Sequence, residues 1–243
     1  MLGVAQSFSL RRMPWGYAEA CGEKPHFRVA RGWRIALTGS MAADSRQQSI
    51  STLRYWHGRL PHWEVEGGRY FVTVRCGDSL PQEAVARIEE IQASIAQTPP
   101  ASPQFATYQR QLFRTLEKYL DAGLGACPLR SESAAAAVVA VLTEAPAHGA
   151  AVPHFTIMSN HWHALIVPET AAFELRKFMQ WLKGASARRV NQSEVRTGSL
   201  WQREWFDRWI RDESEWERTV EYIRLNPVKA RLVKEWTAHP FTR

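Results

Sequence analysis

The sequence predicts one main domain that mixes strands with helices, and three observations carry that expectation. Residues 69–76 set Tyr70, Val72 and Val74 against Phe71, Thr73 and Arg75, the period-two alternation of a half-buried strand. Residues 153–168, PHFTIMSNHWHALIVP, hold two more apolar, β-branched runs divided by Ser159 and Asn160. Around these runs lie segments whose apolar residues recur at helical spacing, Val85, Ile88, Ile91 and Ile95 among them.

In chain order, residues 1–52 show no sustained period and read as a poorly structured basic extension, or as an over-long start with Met41 the true initiator. Gly67 and Gly68 make a turn before the first strand. Asp78 or Ser79 then caps a helix with Pro81 in its first turn. The TPPASP stretch breaks that helix, and Phe105 to Leu120 reads as a second, charged one. An alanine-rich helix starts at Ser131 or Ser133 and ends by Pro146 and Gly149, completing a helical insert at about 81–147. Strands His154–Met158 and His161–Val167 follow, then a basic amphipathic helix from Ala171 to about Asn191. Residues 201–212 read as a loop with a short strand. Asp212 and Glu215 have capping-box spacing and open a last helix, which Pro227 ends at Asn226 by disfavouring helical backbone there.

Composition narrows the class. With 45% hydrophobic and 23% charged residues the chain is that of a soluble globular protein, and no apolar run approaches the ~20 residues needed to span a bilayer. The widely spaced Cys21, Cys76 and Cys127 form no zinc pattern and suit a reducing cytoplasm. A net charge of +7 favours an anionic partner, nucleic acid foremost. The eleven tryptophans could stack unpaired bases beside arginines, although most are expected to pack the core. On the basic helix, Arg176, Lys177, Lys183, Arg188 and Arg189 form a cationic side, either a solvated face or a phosphate contact; Arg208 and Arg211 have the same two readings.

The sharpest feature is His161-Trp162-His163. Side chains two apart on a strand share a face, so both imidazoles point one way while Trp162, Ala164 and Ile166 point the other. Two such rings are half of a metal site, or simply hydrogen-bonded neighbours. On the last helix Trp216, Val220 and Ile223 define a buried stripe, and Tyr222 and Asn226 share a face ~100° away from it. Packed beside the histidine strand, that helix would bring a phenol and a carboxamide oxygen to the two imidazoles.

The segments RLPHWEVEGGRYFVTVRCGDSLP, SNHWHALIV, WQREWFDRWIRD and VEYIRLNPVKARLV, in this order, resemble the REP-associated tyrosine transposases of the HUH single-strand endonuclease superfamily, over roughly residues 55–243. The resemblance implies an α+β fold, ferredoxin/RRM-like, with a central antiparallel sheet and helices packed on one face, in a domain spanning 53–243. It implies a divalent ion, Mg²⁺ or Mn²⁺, on His161 and His163 with Asn226 as third ligand, and Tyr222 as the nucleophile forming a 5′-phosphotyrosine. The implied substrate is single-stranded DNA at palindromic hairpins, handled by a monomer or homodimer with no membrane partner, in the cytoplasm at the nucleoid. Ser159 stands where the family commonly has proline, Trp162 is bulky for its place, and Arg231 replaces a usual glycine. The rival readings are a domesticated protein that binds DNA hairpins without cutting, and a water-using metal hydrolase in which Tyr222 is dispensable.

Overall fold

The computed structural model of the protein describes residues 52–58, 60–99 and 102–243. The expectation for the N-terminal extension therefore lies, except for Thr52, outside the described residues. A two-stranded hairpin, β1 (Thr52–His57) and β2 (Pro61–Val65), precedes a four-stranded sheet. The sheet is built from β3 (Arg69–Arg75), β4 (Ala150–Ile157), β5 (His161–Pro168) and β6 (Phe206–Ile210) in the order β4-β5-β3-β6, with every neighbouring pair antiparallel.

Helices α1 (Gln82–Ala96), α2 (Pro103–Leu120) and α3 (Glu132–Thr143) connect β3 to β4. Helix α4 (Leu175–Ser193) connects β5 to β6, and α5 (Glu213–Lys229) follows β6. Taking β3, α3, β4, β5, α4 and β6 together gives the split β-α-β-β-α-β arrangement of a ferredoxin-like α+β fold. The antiparallel register sorts the side chains. Phe71 and Thr73 on β3 stand opposite Leu165 and His163 on β5, and Tyr70, Val72 and Val74 stand opposite Ile166, Ala164 and Trp162.

The helices cover both faces, where one was expected. Helices α3 and α4 pack on the face of Val72, Val74, Trp162 and Ala164. Helices α1, α2 and α5 pack on the face of Phe71 and Leu165, through Ile88, Leu116 and Ile223 among others. The α1–α2 hairpin adds apolar stripes that must be buried somewhere, and the histidine face is where they lie. Strand β3, expected half-buried, is consequently buried on both faces.

Local details differ in two further places. Asp78 and Ser79 do not cap α1: the Asp78 carboxylate accepts from the Ala126 N–H at 2.8 Å, and the Ser79 hydroxyl donates to the Cys76 carbonyl at 2.8 Å. Pro81 takes the cap position, and Ala84 rather than Val85 joins the buried isoleucines. Helix α5 does not stop at Asn226 but runs through Pro227 to Lys229. Proline removes a single N–H donor close to the helix end, and Pro227 is itself buried beside Asn226. The helix closes with the Leu232 N–H on the Pro227 carbonyl at 2.9 Å, and Arg231 takes a left-handed φ of 58°. At its start, Asp212 accepts from the Glu215 N–H at 2.7 Å while Glu215 accepts from the Arg211 N–H at 3.1 Å.

The C-terminal residues pair with the free edge of β4. The Arg243 N–H donates to the Phe155 carbonyl at 2.9 Å, and the Ile157 N–H donates to the Phe241 carbonyl at 3.0 Å. Among the described residues no helix is long and apolar enough to cross a membrane.

Candidate active site at the histidine strand

The alternation of β5 sends His161 and His163 to one face, where both are fully buried. Their Nε2 atoms stand 3.1 Å apart. Each ring is held from behind. His161 Nδ1 lies 2.8 Å from Asn160 Oδ1, whose own amide donates to the Leu124 carbonyl at 2.8 Å. A carboxamide oxygen only accepts, so His161 Nδ1 carries the proton and its Nε2 presents a lone pair. His163 Nδ1 lies 2.8 Å from the Thr73 hydroxyl on the neighbouring strand. Burial holds both rings neutral: the His161 imidazole is pushed down to about 3, and that of His163 well below its ordinary value, with the neighbouring His161 adding to the effect.

Helix α5 lays Tyr222 and Asn226 over this pair. Tyr222 Oη lies 3.5 Å from His163 Nε2 and accepts from Asn226 Nδ2 at 3.2 Å. Asn226 is buried, and its Oδ1 has no hydrogen-bond partner. Phe71 stacks on the His163 ring with centroids 5.4 Å apart, and Phe113 of α2 meets Tyr222 edge-on at 5.7 Å. The Lys229 ammonium stands 4.5 Å from the centre of the Tyr222 ring. The structure thus brings together His161, His163, Tyr222 and Asn226, four residues drawn from two elements sixty positions apart.

A fifth group was not foreseen. Glu117 of α2 is buried, both of its carboxylate oxygens lack hydrogen-bond partners, and Oε2 lies 3.7 Å from His163 Nε2. Burial first, and Asp121 second, raise its carboxyl well above the ordinary range, against the pull of Lys229. One signal in the sequence could have found it. Glu117 is the sole acidic residue of α2 and falls among the apolar positions Phe113, Leu116 and Leu120.

The donor set fits a divalent cation. Two facing imidazole nitrogens converge there with the Asn226 Oδ1 and the Glu117 carboxylate, whose oxygens have no hydrogen-bond partner. Two ligands at right angles and about 2.0–2.1 Å from an octahedral ion lie about 3 Å apart, close to the 3.1 Å seen between the two nitrogens. Among the described residues no three His, Cys, Asp or Glu side chains already close into a cage. The amide oxygen and the phenol are what distinguish this site from such a cage.

The cationic residues lie elsewhere. Helix α4 covers the opposite face of the sheet, so Arg176, Lys177, Lys183, Arg188 and Arg189 are not around the histidines. Arg176 and Arg188 are exposed. Lys177 pairs with Glu174 at 2.6 Å and Arg189 with Glu144 at 2.7 Å. Lys183 donates to the carbonyls of Gln202 and Arg203 at 2.8 and 2.5 Å, and burial pushes its amine down to about 8. Arg208 is on the histidine face but ion-paired with Glu215, and Arg211 is exposed beside Trp209. The tryptophans mostly serve packing: Trp162, Trp201 and Trp205 are buried, and none of the nine described is fully exposed.

No curated protein matches the chain. Among solved structures, one described as a REP-associated tyrosine transposase bound to a REP hairpin is similar over 76% of this chain and 82% of that one, at 14% identity and a TM-score of 0.44. Residues 137–226 match the family described as transposase IS200-like. That span runs from within α3 to Asn226, so His161, His163, Tyr222 and Asn226 all lie in the part of the chain that is similar to this family.

Proposed function

We propose that the protein is a tyrosine transposase that cleaves and transfers single-stranded DNA at hairpins of the repetitive extragenic palindrome kind, acting at the nucleoid. The observation that carries this reading is the Tyr222 hydroxyl, 3.5 Å from His163 Nε2 and beside two facing neutral imidazoles. The IS200-like match over the same residues supports it.

His161, His163 and the Asn226 carboxamide oxygen would hold Mg²⁺ or Mn²⁺. Such an ion, when bound, supplies a Lewis acid to a non-bridging phosphate oxygen. The chain's own residues do the rest. Asn226 donates to Tyr222 Oη, so the phenol's own O–H points away from Asn226 and its proton can leave to solvent. Tyr222 Oη then bonds to phosphorus in line, the bond from phosphorus to the 3′ oxygen breaks, and that oxygen takes up a proton. One phosphodiester replaces another, and attack by a 3′ hydroxyl reverses the step without ATP. Phe71 and Phe113 pack edge-on against the Tyr222 ring and fix its orientation.

Incubation of the protein with end-labelled hairpin DNA and Mn²⁺ gives a denaturant-resistant protein–DNA adduct. Tyr222→Phe abolishes it; an equal yield from that variant would remove the assignment.

A further inference from the structure

The outer side of the α1–α2 hairpin takes no part in the reaction just described, yet α2 carries an unbroken stripe of positive charge along it. Arg110, Arg114 and Lys118 sit on successive turns of α2, about 6 Å apart along its axis. With Arg87 from α1, Gln111 and Tyr119 they line an open groove of about 550 Å³. Arg87, Arg114 and Lys118 are exposed, and Arg110 is half-exposed. Arg87 pairs with Glu90 at 2.6 Å on its own helix, and Arg110 donates to Thr107 at 2.9 Å.

An ordinary solvated helix mixes signs at this spacing, because like charges four residues apart repel and weaken the helix by a few tenths of a kcal/mol per pair. Here the sole acid of α2, Glu117, faces the histidines instead of balancing the stripe. The stripe is also placed by the site. Phe113 meets the Tyr222 ring and Glu117 approaches His163, and Arg114 and Lys118 each follow one residue later, about 100° around the same helix. Arg110 at the far end is near enough to Arg208 of β6 to act on its charge.

We propose that this groove is a track for the phosphodiester backbone of a single-stranded DNA segment leading away from Tyr222. Lys118, Arg114 and Arg110 follow successive phosphates in that order, and the Tyr119 ring offers a face to an unpaired base, which a duplex would keep hidden. The inference rests on the reading of the neighbouring site as one that handles DNA.

The test is fluorescence anisotropy with two labelled oligonucleotides, a hairpin alone and the same hairpin with a ten-nucleotide single-stranded flank on either side, across a KCl series. Arg110→Gln/Arg114→Gln/Lys118→Gln is compared with the wild type, with helix content checked by circular dichroism. For the flanked DNA the variant binds at least tenfold more weakly, and the slope of log affinity against log salt falls by about 2, the value for three lost single-strand contacts. For the bare hairpin the two proteins bind alike. Lysine at positions 110 and 114 (Arg110→Lys/Arg114→Lys) retains the salt slope. Equal affinity and slope on the flanked DNA would overturn the track, as would equal losses on both oligonucleotides, which would mean that the groove binds the stem. The adduct assay on the same samples keeps the two readings apart. An adduct without any effect of the flank removes the track alone, and a flank effect without an adduct removes the tyrosine assignment alone.

Discussion

Thr73 on β3 holds His163 on β5 through a 2.8 Å contact between its hydroxyl and Nδ1, directly across the antiparallel register. The contact fixes which nitrogen of His163 faces the site. Groups that orient a metal-binding imidazole in this way typically contribute 10–100-fold to affinity. Thr73→Val is therefore expected to weaken Mn²⁺ binding by that factor in a calorimetric titration while leaving the fold intact. Unchanged affinity would show that His163 needs no support from β3.

Glu117 supplies a pH signature. Its folded-state carboxyl is raised by burial, so it favours the folded state below the unfolded pKa, and that contribution is lost as pH rises through the folded value. Glu117→Gln removes the titration. Without metal, the variant's stability relative to the wild type should grow from pH 5 to pH 9, reaching about 1–3 kcal/mol, the usual cost of an unsatisfied buried polar group. Urea unfolding at both pH values measures it; a pH-independent difference would mean that the carboxylate has partners in solution.

His239 gives the opposite sign. It is buried, lies 2.8 Å from the Thr242 hydroxyl through Nδ1, and burial pushes its imidazole down to about 4. The unfolded chain then takes up a proton that the folded one refuses between pH 6.5 and 4, so stability falls with acidification. His239→Gln should recover about 2 kcal/mol at pH 5 relative to its effect at pH 7.5. His161 and His163 titrate in the same direction in both proteins and cancel from this comparison.

Arg231 occupies a left-handed conformation, φ 58°, just past the end of α5, where a side chain brings a steric cost of about 1–2 kcal/mol that glycine avoids. Glycine returns part of that gain through the greater freedom of its unfolded chain. Arg231→Gly should raise stability by about 0.5–1 kcal/mol, read as a higher urea midpoint with an unchanged slope. A lower midpoint would assign the Arg231 side chain a stabilising contact that outweighs its backbone strain.

Much of the site was legible because its patterns are local. Alternation alone puts His161 and His163 on one face, and the 100° step alone puts Tyr222 and Asn226 together. Their meeting is tertiary, and it was expected from the order of four segments, not from any one of them. Helix boundaries followed propensity except where packing overrode it, as at Pro227. What stayed hidden depends on which sheet face each added helix covers. Nothing in the residues of α2 says that it lies over the histidines, so Glu117 looked like one more charge on a charged helix, and the one-sided stripe beside it had no neighbour to give it meaning.

The tail that pairs with β4 changes how the nucleophile is carried. Strand β6 leads into α5 from one edge of the sheet, and after α5 the chain crosses to hydrogen-bond with the opposite edge through Phe241 and Arg243. The tyrosine helix is thus a bridge moored on both banks, not an arm hinged at one end. A strand of DNA joined to Tyr222 would be held in register with the histidines for as long as the bond lasted, and loosening the last three residues would unmoor it without touching the chemistry.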